Sequence, residues 1–335
     1  MDIDKLKIQR KMLLEIPPGQ TAKIRIDKYL ATHVENSSRT KVKQAIDDGN
    51  VLVNGRNIKA NYIIQPNDVI NITLPDAPES IDVVPENIPL EILFEDEYLM
   101  VINKPAGMVT HPAYKNYSGT LVNALLYYIG NKAGTLPTAN GEEAGGLERA
   151  GIVHRLDKLT SGIIVTAKDE ETQRRLSKMF TRHDIEREYW ALVWGLFKQK
   201  KGIIEKSLGR DPKDRRFFAV VKEGKHSVTE YEVIKEFDFL SLIKLKLHTG
   251  RTHQIRVHMF SIGHPVFGDP VYEGRRAHGI QLSSNLKQRI KNLLDIMPRQ
   301  ALHAKVLGFT HPITGEKLHF ESELPEDMRD VISKL

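Results

Sequence analysis

Three ionisable side chains, His154, Arg155 and Asp157, stand where the chain leaves the apolar pair Ile152-Val153. The small-residue turn Thr160-Ser161-Gly162 follows, and then the apolar run Ile163-Ile164-Val165, which reads as a fully buried strand. Charge at the edge of a core is costly, so it is retained either for a structural ion pair or for chemistry, and an aspartate with tunable neighbours suits the second use. Taken locally, a surface turn with a salt bridge and a catalytic carboxylate both remain open. Two further blocks carry reactive types: Glu188-Tyr189 at the head of an aromatic run, and Thr249 to Met259, which holds Arg251, His253, Gln254, Arg256 and His258. Other chemistries lack their signatures. There is no phosphate-binding glycine loop, no Gly-x-Ser-x-Gly and no His-Glu-x-x-His, and His253 and His258 lie five apart, unsuited to one helical zinc face, so no metal site is expected.

Composition narrows the setting. The chain has 335 residues, 40% of them hydrophobic, which suits a main domain of some two hundred residues or more beside a smaller companion. The absence of cysteine excludes disulfides, iron-sulfur clusters, Cys-ligated zinc and a thiol nucleophile. No apolar run reaches the roughly 18 residues of a membrane span, and the charged N-terminus has no signal-peptide core, so the expectation is a soluble, cytoplasmic protein with no membrane partner. A net charge of +6 leans towards a polyanionic partner.

The elements that must position these residues can be read in order. Residues 1–20 carry mixed charges and end at Pro17-Pro18-Gly19, a flexible tail. From Ile24 two short helices are expected, the second capped by Ser37 or Ser38 and stopped at Gly49, followed by Val51-Leu52-Val53, the hairpin signal Asn54-Gly55, and an alternating strand from Val69 to Leu74. Residues 21–75 thus form a compact basic module with Arg39, Lys41, Lys43, Arg56 and Lys59 outside. Residues 76–89, rich in proline and acid, read as a linker, and a second domain spans 90–335. Within it Leu121 to Ile129 is a helix, 131–149 a polar surface loop, and Asp169 caps a helix whose Thr172, Leu176, Met179 and Phe180 share a face. Glu188 to Gly195 is a strand with Tyr189, Ala191 and Val193 on one side. Residues 208–227 are a basic hairpin or loop in which Arg210, Lys213, Arg215 and Arg216 cluster about Phe217-Phe218, and Arg251 to Met259 reads as a helix. Hairpins and helices without regular alternation imply an α+β domain with a largely antiparallel sheet flanked by helices.

Helix, helix and hairpin with exposed lysine and arginine resemble the alpha-L RNA-binding module, and that likeness implies RNA contact through Arg39, Lys41, Lys43, Arg56 and Lys59. From about residue 85 the chain resembles the RluA-type pseudouridine synthases. The likeness rests on His154-Arg155-Leu156-Asp157 before Thr160-Ser161-Gly162, on Tyr189-x-Ala-x-Val-x-Gly195, and on Gly250-Arg-Thr-His-Gln-Ile-Arg-Val-His258. It extends to Asn103-Lys104-Pro105-Ala106-Gly107, Gly268-Asp269-Pro270-Val271-Tyr272 and Arg299 to Ala304, and the preceding module matches the RluD-like branch. The resemblance implies a pseudouridine-synthase-like catalytic domain and a cofactor-free isomerisation of uridine in RNA, with large-subunit ribosomal RNA as partner and a monomeric enzyme. It assigns Asp157 as the catalytic carboxylate, Arg256 rather than Arg251 as the cation opposing it, Tyr189 as the ring stacking on the base, and Arg155 as the side chain filling the space of a flipped nucleotide. His154, Arg251, His253 and Gln254 are placed at the substrate, His154 being explained equally by holding the turn together, and Arg215 and Arg216 on the RNA. Leu159 stands where many members carry a polar residue, and the 131–149 insertion is longer than usual; both bear on target choice. A catalytically idle RNA-binding assembly factor, a synthase for transfer RNA and an aspartate-dependent nucleic-acid glycosidase are the competing readings, the last lacking a second, water-activating carboxylate.

Overall fold

The structure, a computed structural model, describes residues 10–20, 23–34, 39–74, 83–112, 116–133, 151–277 and 283–335. The chain divides between Asp82 and Val83 into two compact units.

In the first unit, strand β1 (Arg10–Glu15) precedes helices α1 (Ile26–His33) and α2 (Arg39–Asp47) and strands β2 (Val51–Val53), β3 (Arg56–Asn57) and β4 (Val69–Leu74). The sheet order is β1-β4-β2-β3, antiparallel throughout. Residues 10–15 are therefore not the flexible tail that the charge pattern suggests. Met12, Leu14 and Ile16 alternate onto the unit's core while Leu13 faces out, and β1 pairs with β4 from Arg10↔Leu74 to Glu15↔Val69. The β2–β3 turn has positive φ at both Asn54 (49°) and Gly55 (75°), as a tight two-residue hairpin requires. Ser37 and Ser38, the expected caps of α2, lie outside the described residues, as does the side chain of Lys41.

The second unit begins before residue 90. Val83, Ile88 and Leu90 pack on the main hydrophobic core of this unit, the Asn123 side-chain amide donates to Val84 O (2.7 Å), and Glu86 N–H donates to Asn123 O (3.0 Å). Residues 83–89 are thus part of the domain, and the expected linker keeps only 76–82, which lie outside the described residues. Strands β5 (Ile92–Glu95) and β6 (Leu99–Lys104), helix α3 (Leu121–Ala133), strand β7 (Ser161–Ala167), helix α4 (Glu170–Arg182), strands β8 (Glu186–Trp194), β9 (Lys201–Arg210), β10 (Phe218–Val220), β11 (Lys225–Glu236) and β12 (Leu240–Leu247), helices α5 (Gln254–Ser261) and α6 (Ser284–Ile296), strands β13 (Leu302–Thr310) and β14 (Lys317–Glu321), and helix α7 (Glu326–Ser333) follow. Helix α3 runs four residues past Ile129, into the segment expected to be loop; 134–150 lie outside the described residues.

The strand order is β10-β9-β11-β12-β8-β13-β7-β6-β5, with β14 also on β13. Every pairing is antiparallel except β13 with β7, so the expected largely antiparallel α+β sheet is what forms. One sheet face buries Tyr189, Ala191, Val193, Ile243 and Leu245 with α3 and α5, and the other buries Leu192 and Trp194 with α6 and α7. The alternation of β8 read from the sequence is this two-sided burial. Strand β7 is buried at every position.

Candidate active site

The 151–162 loop is set between two places where a side chain cannot fit. Gly151 (φ 73°) would bring a Cβ within 1.9 Å of Ala167 O, and Gly162 (φ 117°) within 2.2 Å of Ala304 O, where β7 and β13 run parallel. Between them Leu156 enters the core (3% exposed), which turns the neighbouring Asp157 outward. The loop's backbone is tied down by Gly107 N–H to Lys158 O (2.8 Å), Thr110 Oγ1 to Leu156 O (3.0 Å) and Arg299 Nη1 to Leu159 O (3.1 Å). Lys104 lies beneath it, fully buried, donating to Pro105 O (2.8 Å) and Met108 O (2.9 Å); burial brings its pKa down to about 7, with Arg299 adding to and Asp157 opposing the shift.

Asp157 opens onto a cavity of about 510 Å³ shared with Tyr189, Arg187, Arg251, His253 and Arg256. Arg256 Nη1 donates to Asp157 Oδ2 at 3.0 Å, while its Nε and Nη2 grip both oxygens of Asp269 at 2.7 and 2.9 Å. The Arg256 side chain is 5% exposed, that of Asp269 0% and that of Asp157 18%, so the cation is fixed from the protein side and turns its remaining edge to the carboxylate that solvent can reach. Burial alone would depress the Arg256 pKa, but the two carboxylates overcome this and raise it. Tyr189, on β8, is 7% exposed, and burial raises its pKa, so its phenol stays protonated near neutral pH.

His253 occupies the left-handed region (φ 57°) at the head of α5, a conformation that costs energy in a non-glycine residue. The Tyr272 hydroxyl accepts the Phe218 N–H (3.2 Å) and shares a hydrogen bond with His253 Nδ1 (2.8 Å), while His253 Nε2 lies 3.9 Å from Asp157 Oδ2. Burial lowers the His253 pKa despite the opposing pull of Asp157, which keeps the ring neutral.

Arg155 and Arg251 are both exposed at the mouth of the cavity; Arg251, outside the helix, is not the partner of Asp157. The helix expected from Arg251 starts only at Gln254, because the preceding residues turn to close the cavity. Gln254 is not free for substrate. It accepts from Thr249 Oγ1 (2.7 Å) and Arg251 N–H (3.0 Å) and donates to Val228 O and Thr229 Oγ1 (both 3.0 Å), so its amide holds the turn. His154 is spent likewise: Nε2 accepts the Val165 N–H (3.0 Å), the ring stacks on Phe180 at 4.3 Å, and burial lowers its pKa to about 3. Asp269 has no role in the sequence reading, although the segment carrying it is among the family-like blocks; the visible signal was an acid next to a proline turn, with nothing to say which cation it meets.

The expected RNA contacts are mixed. Lys43, Arg56 and Lys59 are exposed, whereas Arg39 commits a nitrogen to the buried Asp27 (2.9 Å), so it also braces α1 against α2. On the β9–β10 hairpin Arg215 is exposed and Arg216 is held by Asp214 (2.6 Å). The hairpin also reaches the site, Phe218 meeting His253 edge-on at 5.8 Å.

Comparison with known proteins fits this geometry. Residues 98–261 match the family described as RNA pseudouridylate synthase, and residues 24–70 the S4 domain. A Chlorobaculum parvum protein named as an uncharacterized RNA pseudouridine synthase is 44% identical over 330 residues, covering 97% of each chain. A Zymomonas mobilis protein named ribosomal large subunit pseudouridine synthase D is 42% identical, over 91% of this chain and 92% of the relative. The solved structure of human RNA pseudouridylate synthase domain containing 4 shares the fold, with a TM-score of 0.56 at 24% identity over 73% of this chain and 92% of that one.

Proposed function

The chain belongs to the RNA pseudouridylate synthase family, and on that premise we propose that it isomerises uridines of large-subunit ribosomal RNA to pseudouridine, with Asp157 as the reacting carboxylate. The substrate class is supported by the name of the Zymomonas mobilis relative and by the S4 domain ahead of the catalytic unit. One observation carries the assignment of the site: the Asp157 carboxylate lies 3.0 Å from a buried guanidinium, inside the cavity that Tyr189 also lines.

The reaction breaks the bond from sugar C1′ to uracil N1, turns the base, and joins C1′ to C5; a proton leaves C5 and N1 gains one, so nothing is consumed. A cavity of about 510 Å³ takes a single nucleoside and no duplex, so the target must leave the stack, with exposed Arg155 placed to enter the gap. Asp157 supplies the anion that attacks or deprotonates, Arg256 holds its carboxylate by the 3.0 Å hydrogen bond, and the Tyr189 ring supports the base while its hydroxyl assists the proton at C5. His253 Nε2, 3.9 Å from the carboxylate, is the nearest imidazole nitrogen to the reacting group.

Asp157→Asn keeps the shape but not the charge. Tritium release from C5-labelled ribosomal RNA is expected to fall on the order of 10³-fold or more while RNA affinity stays near that of the unaltered enzyme. Wild-type release in the variant would remove Asp157 from the reaction, and a strain lacking the protein that kept every ribosomal pseudouridine would overturn the substrate.

A further inference from the structure

The catalytic cavity does not end at the reacting groups. It runs along α4, where Ser177 and Thr181 line both the cavity and an adjoining groove of about 340 Å³ whose other walls are Arg174, Lys178 and Arg182. The three cations recur at every fourth residue and so form one stripe, stepping about 6 Å at a time along the helix. Thr172 and Leu176, on the opposite side, are the buried positions.

The acids of the helix do not neutralise the stripe evenly. Glu171 is taken up by Arg174 and Arg175 (both 2.6 Å), which leaves Lys178 and Arg182 exposed and without an ion pair among the described residues. At the inner end lies Arg187. Its guanidinium sits 5.6 Å over the Phe180 ring, donates weakly to Leu247 O (3.3 Å), meets no carboxylate among the described residues, and has a buried Nε without a hydrogen-bond partner. A cation in the last helical turn complements the helix dipole, which would explain Arg182 alone. It does not explain a groove that continues into the cavity, hydroxyls lining it, or a third unpaired cation reaching the same path from β8.

We propose that this groove is the exit track for the RNA strand on one side of the target nucleotide, with Lys178 and Arg182 binding successive backbone phosphates and Arg187 the phosphate nearest the flipped residue. The chemistry fits a single strand: point charges and hydroxyls spaced along a shallow channel recognise phosphates. The assignment rests on the reading of the substrate as RNA, and deepens it by naming the path.

The test uses the full chain carrying K178E and R182E together, with unmodified, C5-tritiated large-subunit ribosomal RNA made by transcription. A second protein, K287E/K291E, reverses two exposed lysines on α6, outside the site. For K178E/R182E, KM is expected to rise at least about tenfold with kcat within about twofold and the unfolding temperature unchanged. The slope of log affinity against log salt should become shallower by about 1.4, near 0.7 for each phosphate that is no longer neutralised. The defect should vanish on substrates cut back to the target on one side only, which identifies whether the 5′ or the 3′ flank crosses α4. The α6 variant should behave as wild type. Wild-type KM and salt slope in K178E/R182E, a fall in kcat at unchanged KM, an equal loss in the α6 variant, or selective loss of binding to an acidic protein with RNA binding intact would each overturn the proposal. If the unaltered enzyme released no tritium, the reading of the substrate would fail instead, and the salt slope would still judge the groove.

Discussion

The most constrained residue in the site is Arg256, which divides its donors between a carboxylate sealed in the protein and one facing the cavity. Asp269 therefore acts through Arg256: with both its oxygens on the guanidinium and none exposed, it fixes the direction from which Asp157 feels positive charge. Asp269→Asn would turn one acceptor into a donor facing that cation. Tritium release is expected to fall about 10² to 10³-fold with RNA affinity retained, and Asp269→Glu should recover part of it; full activity in Asp269→Asn would show that Asp157 alone orients the guanidinium. Tyr189→Phe tests a different group, removing the hydroxyl but keeping the ring, and is expected to leave binding intact while lowering turnover by at least about 10²-fold. At this scale the sequence was informative where a motif names a charge and mute where bonding decides. The pairing of Asp157 with Arg256 was legible. Gln254 looks like a ligand in a string of letters and His154 reads equally as ligand or brace; their hydrogen bonds show that both hold the turn.

Elements were legible in proportion to their periodicity. Strand β8 alternates onto two cores and α4 carries its Asp169 cap bonded to Thr172 N–H (2.8 Å), both as the pattern implies. Strand β1 was hidden because its alternation is short and lies beside a run of mixed charge, and the late start of α5 was hidden because the bonds of Gln254 and the strained His253 override helical spacing. What no local pattern could show is the parallel contact of β7 with β13, formed by segments 142 residues apart at Ser161 and His303. Gly162 is the closest approach there, and Gly162→Ala is expected to lower the unfolding temperature by roughly 10 °C or to prevent folding, since φ 117° and a 2.2 Å clash with backbone both forbid the new Cβ. His303 sits at the same junction, 1% exposed, bonded to Ser161 Oγ (2.9 Å) and Ser322 Oγ (2.8 Å), and burial, aided by Arg299 and Lys305, lowers its pKa to about 3. Between pH 6.5 and 3 the unfolded chain binds a proton there that the folded chain refuses, so stability falls as the pH drops through that window. Urea titrations of His303→Gln should show a shallower loss across it, by at most about 1.4 kcal/mol per pH unit; an unchanged slope would mean that His303 titrates normally in the fold.

Across the whole molecule, each of the two units encloses a core of its own: Ile26, Leu30, Val51 and Ile70 in the first, and the faces of the long sheet in the second. The charge pattern separated them, although it placed the boundary too late because the apolar residues of 83–89 are few and scattered among prolines and acids. Independent cores imply that the second unit can fold alone. All the groups proposed to react, Asp157, Tyr189 and Arg256 with Asp269 behind them, belong to it, while Lys43, Arg56 and Lys59 belong to the first. On the proposed assignment, chemistry and part of the electrostatic affinity are carried by different pieces of chain. A protein of residues 83–335 is expected to unfold cooperatively and to keep kcat on a short RNA within a fewfold. Its KM on long ribosomal RNA should rise at least about tenfold, because linking two binding modules raises the effective concentration of the second, and its salt dependence should be weaker by about one neutralised phosphate for each cation removed. Adding residues 1–82 as a separate chain should restore little of that affinity, since the gain comes from the covalent link. Equal KM for the short and full chains on long RNA would assign the first unit some task other than holding the substrate.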